Sequence, residues 1–438
     1  MSEVLGSRQR NIVLLGWTSR LAAMVVSLAM IRIALRLLGE SQFAVFQILT
    51  AALAWLALSS FGLGPALKNL VSECRARGES DRQLREASAA LLTLLFVTGT
   101  VILFLLGPAV SAGLLRKLTH DELWAYRAFV AGGLMSLIAA LGQVSLEVLY
   151  AEFRAQWVYF LSLLGSALTV GLLLVLRRLN YDPPVMLFWV VCATLAPQAL
   201  TGLFALRMTG LLPTRLVMPN RAAVARIVPR ASRFALFAIL SSLILMVDSL
   251  VISQILGMRD IVLYLIMMKL VAVGLVLYST AIAVVWPEWT HNWELRQWTA
   301  LRKRVRSFAM RGVAVCIPGA ALAVFTFPFL IRVWLQDANV VPSTFLVLEF
   351  VAYVAVRFWT DAHSAALLSG NRVFVATRFA AIQALITAPL EYLFGRRWGA
   401  EGVIFGLVLG FLATAAWMFP RRFSFELRRG AAQEAALP

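Results

Sequence analysis

Cysteine, histidine and carboxylates are all thinly spread in this sequence. Its three cysteines, Cys74, Cys192 and Cys316, are too few and too far apart for a disulfide framework, and they lack metal-ligand spacing. The three histidines, His120, His291 and His363, are equally scattered, and no Asp-x-Asp pair is present. The residues that hold a divalent ion in a glycosyltransferase or hydrolase are therefore missing, and no cofactor is expected. Charged residues of both signs make up only 14% of the 438 residues, against 61% hydrophobic. So little polar surface cannot coat a soluble chain of this length, which excludes a soluble enzyme.

Long apolar runs are what the sequence does have. Twelve stretches reach the roughly 18 residues that allow a helix to cross a bilayer. They cover 12–38, 43–66, 87–113, 125–150, 157–176, 185–205, 233–256, 261–286, 307–332, 344–368, 374–394 and 399–419. The expected fold class is an all-α polytopic membrane protein of about twelve transmembrane helices. Arg8, Arg10 and Arg20 surround the start of the first stretch, which continues to full spanning length and is expected to stay as an anchor.

Basic residues outnumber acidic ones by 40 to 22, a net charge of +18. On a soluble chain that balance points to nucleic acid, but here the bases sit in short connections between apolar runs, so membrane topology explains them and no nucleic-acid partner is expected. Alternate connections receive 26 Lys and Arg on one side and 9 on the other, which puts both termini in the cytoplasm. The residues 288–294, EWTHNWE, read as a cytoplasmic aromatic belt around His291.

An internal repeat lies beneath this pattern. Leu37-Leu38-Gly39 recurs 218 residues later as Ile255-Leu256-Gly257, Phe46 meets Tyr264, and Arg154 in AEFRAQ meets Arg372 in SGNRVF. The shift places span 1 on span 7 and span 4 on span 10. Six is even, so the copies run in the same direction: two parallel-repeat six-helix bundles around a central cavity. The expected domains are 1–206, an Arg- and Pro-rich cytoplasmic linker at 207–232, a second bundle at 233–420, and a cytoplasmic tail at 421–438.

Charge within a span is costly and needs a partner or a wet cavity. Five bases lie inside spans, Arg20, Arg32, Arg36, Lys269 and Arg357, with Asp248, Glu349 and Asp361 as the deepest acids. On a helical wheel of span 10, Glu349, Tyr353, Arg357, Thr360, Asp361, His363 and Ser364 fall on one arc, opposite Val347, Val351, Val354 and Phe358. That stripe either lines an aqueous cavity or contains an Arg357–Asp361 pair that neutralises itself. Asp248 and Lys269 lie at equal depth on either side of a short turn, as an inert pair or an ion switch. Arg32 and Arg36 either snorkel to the outer interface or line a vestibule. The excess of bases favours a phosphate- or carboxylate-bearing solute.

Several motifs together resemble the Wzx-like polysaccharide and O-antigen flippases of the multidrug/oligosaccharidyl-lipid/polysaccharide exporter superfamily. They are Arg32 and Leu38-Gly39 followed by FAVFQ, FGLGPALKNLVSE (61–73), DSLVISQILG (248–257) before Tyr264, and LLSGNRVFVATRF with EYLFGRRWGAEGVIFGLVLG (367–410). The resemblance covers essentially the whole chain, with Lys68-Asn69 in place of the Arg frequent in the family loop. It implies alternating access by two bundles that move undecaprenyl-diphosphate-linked oligosaccharide across the bacterial inner membrane for O-antigen, capsule or exopolysaccharide synthesis. Membrane lipids, a polysaccharide polymerase and a chain-length regulator are the partners it implies. Arg20, Arg32, Arg36, Lys269, Tyr353 and Arg357 are the expected substrate-binding residues. Asp248, Glu349 and Asp361 are candidates for coupling to protons or sodium. The alternative is an ion-coupled exporter of small drugs or metabolites, which needs a more acidic or aromatic cavity. The major facilitator group is excluded because the loop GESDRQLREAS (78–88) lacks that group's flanking glycines.

Overall fold

The structure is a computed structural model that describes residues 7–54, 62–110, 122–179, 181–212, 220–256, 258–335 and 342–435. Twelve helices follow one another through the described residues, and no strand occurs among them. They are α1 (Ser7–Ala54), α2 (Leu63–Arg77), α3 (Arg82–Val110), α4 (Glu122–Ala151), α5 (Ala155–Leu176), α6 (Pro183–Met208), α7 (Arg221–Ile255), α8 (Met258–Glu294), α9 (Trp298–Leu335), α10 (Thr344–Ser369), α11 (Val373–Ala413) and α12 (Ala415–Ala435). Seven stretches among the described residues are long and apolar enough to cross a membrane. The chain is a multi-pass membrane protein, as its hydropathy predicts.

The helices divide the chain differently from the apolar runs. The first span and the start of the second share α1, broken at Gly39, whose φ of 68° and ψ of 172° leave the helical region. A residue without Cβ adopts that conformation cheaply, so helix resumes on both sides. The last two spans share α11 in the same way, with the break at Gly399. The expected linker at 207–232 is shorter than composition implies. Helix α6 runs to Met208, and α7 starts at Arg221 and carries Pro229 within it. The expected tail at 421–438 is mostly ordered helix in α12, because Phe419, Phe423 and Leu427 give it an apolar stripe buried to within 5% of full enclosure.

The 218-residue register reappears in the backbone. Gly78 and Arg296 both have φ near the left-handed value, 68° and 55°. Gly78 N–H donates to Arg75 O and Glu79 N–H to Cys74 O, while Arg296 N–H donates to Trp293 O and Gln297 N–H to Asn292 O. Phe153 and Asn371 form a second matched pair, with φ of 56° and 59°. The amides of Glu152, Phe153 and Arg154 donate to Val148, Tyr150 and Leu149, and those of Gly370, Asn371 and Arg372 donate to Ala366, Leu368 and Leu367. Both sets of bonds satisfy the carbonyls left open where a helix ends.

Two compact units result, Leu14–Ala235, and Leu236–Pro438 with the segment ahead of Leu14. In the first, α1 packs Leu38, Phe46, Leu49 and Leu53 against Leu103, Phe129, Leu187 and Val191 of α3, α4 and α6. In the second, α10 packs against α8, α9, α11 and α12. The aromatic belt expected around His291 is instead core. Trp286, Trp289 and Trp293 are at most 9% exposed, since α8 continues through Pro287 to Glu294 and carries these rings inward. Trp293 donates from Nε1 to Ala366 O at 2.9 Å and covers Gly370.

Candidate functional site

A cavity of about 230 Å³ opens in the first unit among α1, α4, α5 and α6. Arg20, Gln143, Ser166, Thr169, Gln198 and Thr201 supply its polar lining. The helices that build it meet closely: a Cβ on Gly142 of α4 would fall 2.3 Å from the Cα of Gly202 on α6. Ser162, Ser166 and Thr169 recur along α5 at intervals of four and three residues, which puts them on one helix face. Three hydroxyls already donate to carbonyls of their own helices: Ser166 to Ser162 O, Thr169 to Gly165 O and Thr201 to Pro197 O, each at 3.0 Å. Their remaining lone pairs act as acceptors. Arg20 is the one cation in the lining, and no carboxylate lines the cavity among the described residues.

One turn beyond Gln143 on α4 lies Glu147. It pairs with Lys68 of α2 at 2.6 Å, and the lysine side chain is 5% exposed. The Lys68 ammonium also stands 5.8 Å from the centre of the Tyr150 ring, which meets Tyr159 edge-on at 6.2 Å. Beside this layer the Ser19 hydroxyl donates to Tyr159 O at 3.1 Å and ties α1 to α5. Lys68 reads as a loop residue in the sequence, but helix α2 and the bound carboxylate carry it inside the unit.

In the second unit the stripe on α10 contains the self-neutralising pair. Arg357 donates from Nε and Nη2 to the Asp361 carboxylate at 3.1–3.3 Å, and from Nη1 to the Tyr353 hydroxyl at 3.0 Å. The guanidinium also stands 5.6 Å from the Phe411 ring. Arg357 and Asp361 side chains are 27% and 36% exposed. The rest of the stripe is mostly enclosed: Glu349, Tyr353, Thr360 and His363 are all buried, and His363 Nδ1 lies 2.8 Å from Trp359 O. Val347 and Phe358, on the opposite arc, are buried as well, so α10 is packed on both faces.

The other expected residues are spread apart. Arg20, Arg32 and Arg36 all belong to α1, but only Arg20 lines the cavity, and Arg32 and Arg36 are exposed further along the helix. Lys269 is exposed on α8. The Asp248 side chain lies outside the described residues, and with it the expected pairing to Lys269. Glu349 is buried, and neither carboxylate oxygen has a hydrogen-bond partner among the described residues. Gln143, Gln198 and the α5 hydroxyls have no counterpart in the charge-based reading. Their signal is the helical spacing of neutral polar residues in spans 4, 5 and 6.

No protein-family model matches the chain. It is 25% identical over 418 residues to the "Putative O-antigen transporter" of Salmonella typhimurium, covering 94% of this chain and 96% of that protein. It is 24% identical over 417 residues to the "Putative O-antigen export protein" of Yersinia pseudotuberculosis, covering 93% and 94%. The polysaccharide-exporter resemblance of the motifs thus extends along the full chain. Among solved structures, a MATE transporter in the bent conformation superposes with a TM-score of 0.80 at 15% identity, covering 99% of each chain. A MOP-superfamily transporter from Pyrococcus furiosus, described as having a binding pocket of reversed polarity, gives 0.78 at 13% identity and covers 98% of each. The twelve-helix fold is that of MOP-superfamily transporters.

Proposed function

We propose that this protein is a flippase that carries a lipid-diphosphate-linked glycan across the bacterial inner membrane by alternating access, with both termini in the cytoplasm. The observation that carries the reading is the cavity of the first unit: among the described residues its lining has one guanidinium, two amides and several hydroxyl acceptors, and no carboxylate. Hydroxyl and amide groups suit the donors of a sugar ring, and a guanidinium suits phosphate. A carboxylate in that lining would repel the phosphate, and a cationic drug would need one. The names of the full-length relatives point the same way.

In this reading Arg20 binds the diphosphate in the cavity of the first unit, Arg357 offers a separate anion contact within the second unit, and the lipid tail stays in the bilayer. Arg357 spends three of its five N–H donors on Asp361 and Tyr353 and keeps two for a ligand. Arg32, Arg36 and Lys269 add positive field along the route. The buried Glu349 is the stronger candidate for proton or sodium coupling, because an uncompensated charge there is costly and neutralising it relieves that cost. Asp361 and Asp248 are the other coupling candidates, and a polymerase and chain-length regulator are the partners that would receive the product.

The test is surface glycan in a deletion strain complemented with wild-type protein, R20A or R357A, each at matched membrane abundance. The flippase reading expects the deletion to lose surface glycan and accumulate lipid-linked precursor, with each variant restoring little of it. Unchanged glycan in the deletion, with increased susceptibility to cationic drugs, would instead establish the small-molecule exporter.

A further inference from the structure

The first four turns of α9 carry a groove of about 630 Å³ lined by Thr299, Arg302, Lys303, Arg306, Ser307, Met310, Arg311 and Ala314. Arg302, Lys303 and Arg306 are exposed, and none of the three forms an ion pair among the described residues. The neighbouring Arg304 differs: it is taken up by Glu288. Three cations therefore converge on two helical turns with no anion supplied by the described residues.

Their height relative to the bilayer follows from the same helix. The exposed apolar side chains of α9 begin at Met310, 52% exposed, and run through Val315, Ile317, Leu322, Phe325 and Phe329, all 64–80% exposed. From Met310 to Leu330 the helix rises about 30 Å, the thickness of a hydrocarbon core. The groove thus straddles the edge of the hydrocarbon, with Arg302, Lys303 and Arg306 outside it at the level of lipid phosphates.

Helix α12 provides an independent second surface in the same unit. Its last turns lean on the start of α9, with Trp298 Nε1 donating to Glu434 at 3.0 Å and the Trp298 ring against Gly430. While Phe419, Phe423 and Leu427 face inward, the outward stripe alternates Trp417, Arg421, Phe425 and Arg428, all exposed. The Arg421 guanidinium stands 5.1 Å from the Trp417 ring. Aromatic rings that alternate with arginine on one helix face are the composition of a helix lying in the lipid interface.

We infer that the start of α9 and the outward stripe of α12 form a binding surface for anionic phospholipid, with the lipid phosphate held by Arg302, Lys303 and Arg306. The acyl chains continue over the apolar face of α9. This surface is distinct from the cavity of the first unit, and its test does not depend on the transported substrate.

Full-length protein purified in neutral detergent and stripped of lipid would be titrated with phosphatidylglycerol, phosphatidylcholine or inorganic phosphate, with the thermal midpoint as readout. Phosphatidylglycerol is expected to raise the midpoint, and the other two are not. The triple variant R302Q/K303Q/R306Q should need phosphatidylglycerol at on the order of a hundredfold higher concentration, at about fivefold per removed cation. The variant R421Q/R428Q should show a smaller weakening in the same direction. An equal response to phosphatidylcholine, a full response to inorganic phosphate, or an unchanged phosphatidylglycerol response in the triple variant would overturn the inference. All these residues are exposed, so a folding defect is not expected. Circular dichroism of the lipid-free variants checks this, and a second charge-removing set, R302A/R306A, replaces the triple variant if that set unfolds.

Discussion

Lys68 of α2 and Glu147 of α4 meet at 2.6 Å one helical turn from Gln143 in the cavity lining. The lysine is almost fully enclosed, so removing one partner strands a charge in a site that water reaches poorly. Lys68→Met leaves Glu147, 31% exposed, without this partner and is expected to destabilise the protein by about 1–3 kcal/mol. The double variant K68M/E147M should recover most of that loss, because two apolar side chains of similar size leave no stranded charge. The fraction of monodisperse protein surviving a heating series measures both. A single variant that melts with wild type would show that the pair contributes nothing.

Gly78 and Arg296 hold equivalent places in the two halves, and both are left-handed. Side chains with a Cβ pay roughly 1–2 kcal/mol there, and glycine does not. Copying the first half into the second, Arg296→Gly, should therefore stabilise the protein, by up to about 1 kcal/mol once the extra freedom of the unfolded glycine is counted. The reverse change, Gly78→Arg, should destabilise it by a similar amount. A thermal midpoint that falls in R296G would mean that the arginine side chain holds a contact worth more than the backbone strain.

The apolar runs exceed what any soluble core requires and identify membrane-spanning helices, but α2 and α12 lie mostly outside them. The runs could not show where helix crosses a span boundary. Helix runs through the polar breaks around Gly39 and Gly399, interrupted only at the glycine itself, and the polar residues 288–294 stay helical because three tryptophans bury one side. Charge was a partial guide to the site. It found Arg20 and the Arg357–Asp361 pair, since i,i+4 spacing on a helix brings such groups together. It placed Lys68 in a loop, since its partner Glu147 lies 79 residues away and pairing between helices leaves no local pattern. The neutral lining of the cavity was invisible for a similar reason: Gln143, Thr169 and Thr201 become a site only when three helices converge.

The convergence depends on contact between two glycines. With the Gly142 Cβ position 2.3 Å from Gly202 Cα, Gly142→Ala must push α4 from α6, at a cost of about 1–3 kcal/mol. Gly171 of α5 is the control, because nothing lies within 4 Å of its Cβ position. Gly171→Ala should be neutral or stabilising by up to about 1 kcal/mol. Surface glycan at matched abundance should fall in G142A and stay at the wild-type level in G171A. Equal glycan in the two strains would separate the cavity from transport.

The Arg357 guanidinium is gripped on one edge by Asp361 and at Nη1 by Tyr353, and each contact makes a different demand on the transport cycle. Under the proposed function, an arriving diphosphate must compete with the Asp361 carboxylate. In Asp361→Asn that competition weakens, so the ligand should bind more tightly and leave more slowly. Surface glycan is then expected to fall while lipid-linked precursor remains bound to the purified protein. Arg357→Lys keeps the charge but loses the planar fork, so glycan should fall with no bound precursor. Tyr353→Phe removes one hydrogen bond at about 1 kcal/mol and should reduce export severalfold at most. Quantifying precursor that co-purifies with each variant separates the three. If D361N and R357K retain equal amounts of precursor, Asp361 orients the arginine rather than competing with the ligand. If all three export as wild type does, the α10 pair is a structural neutralisation, and substrate recognition rests on the Arg20 cavity alone.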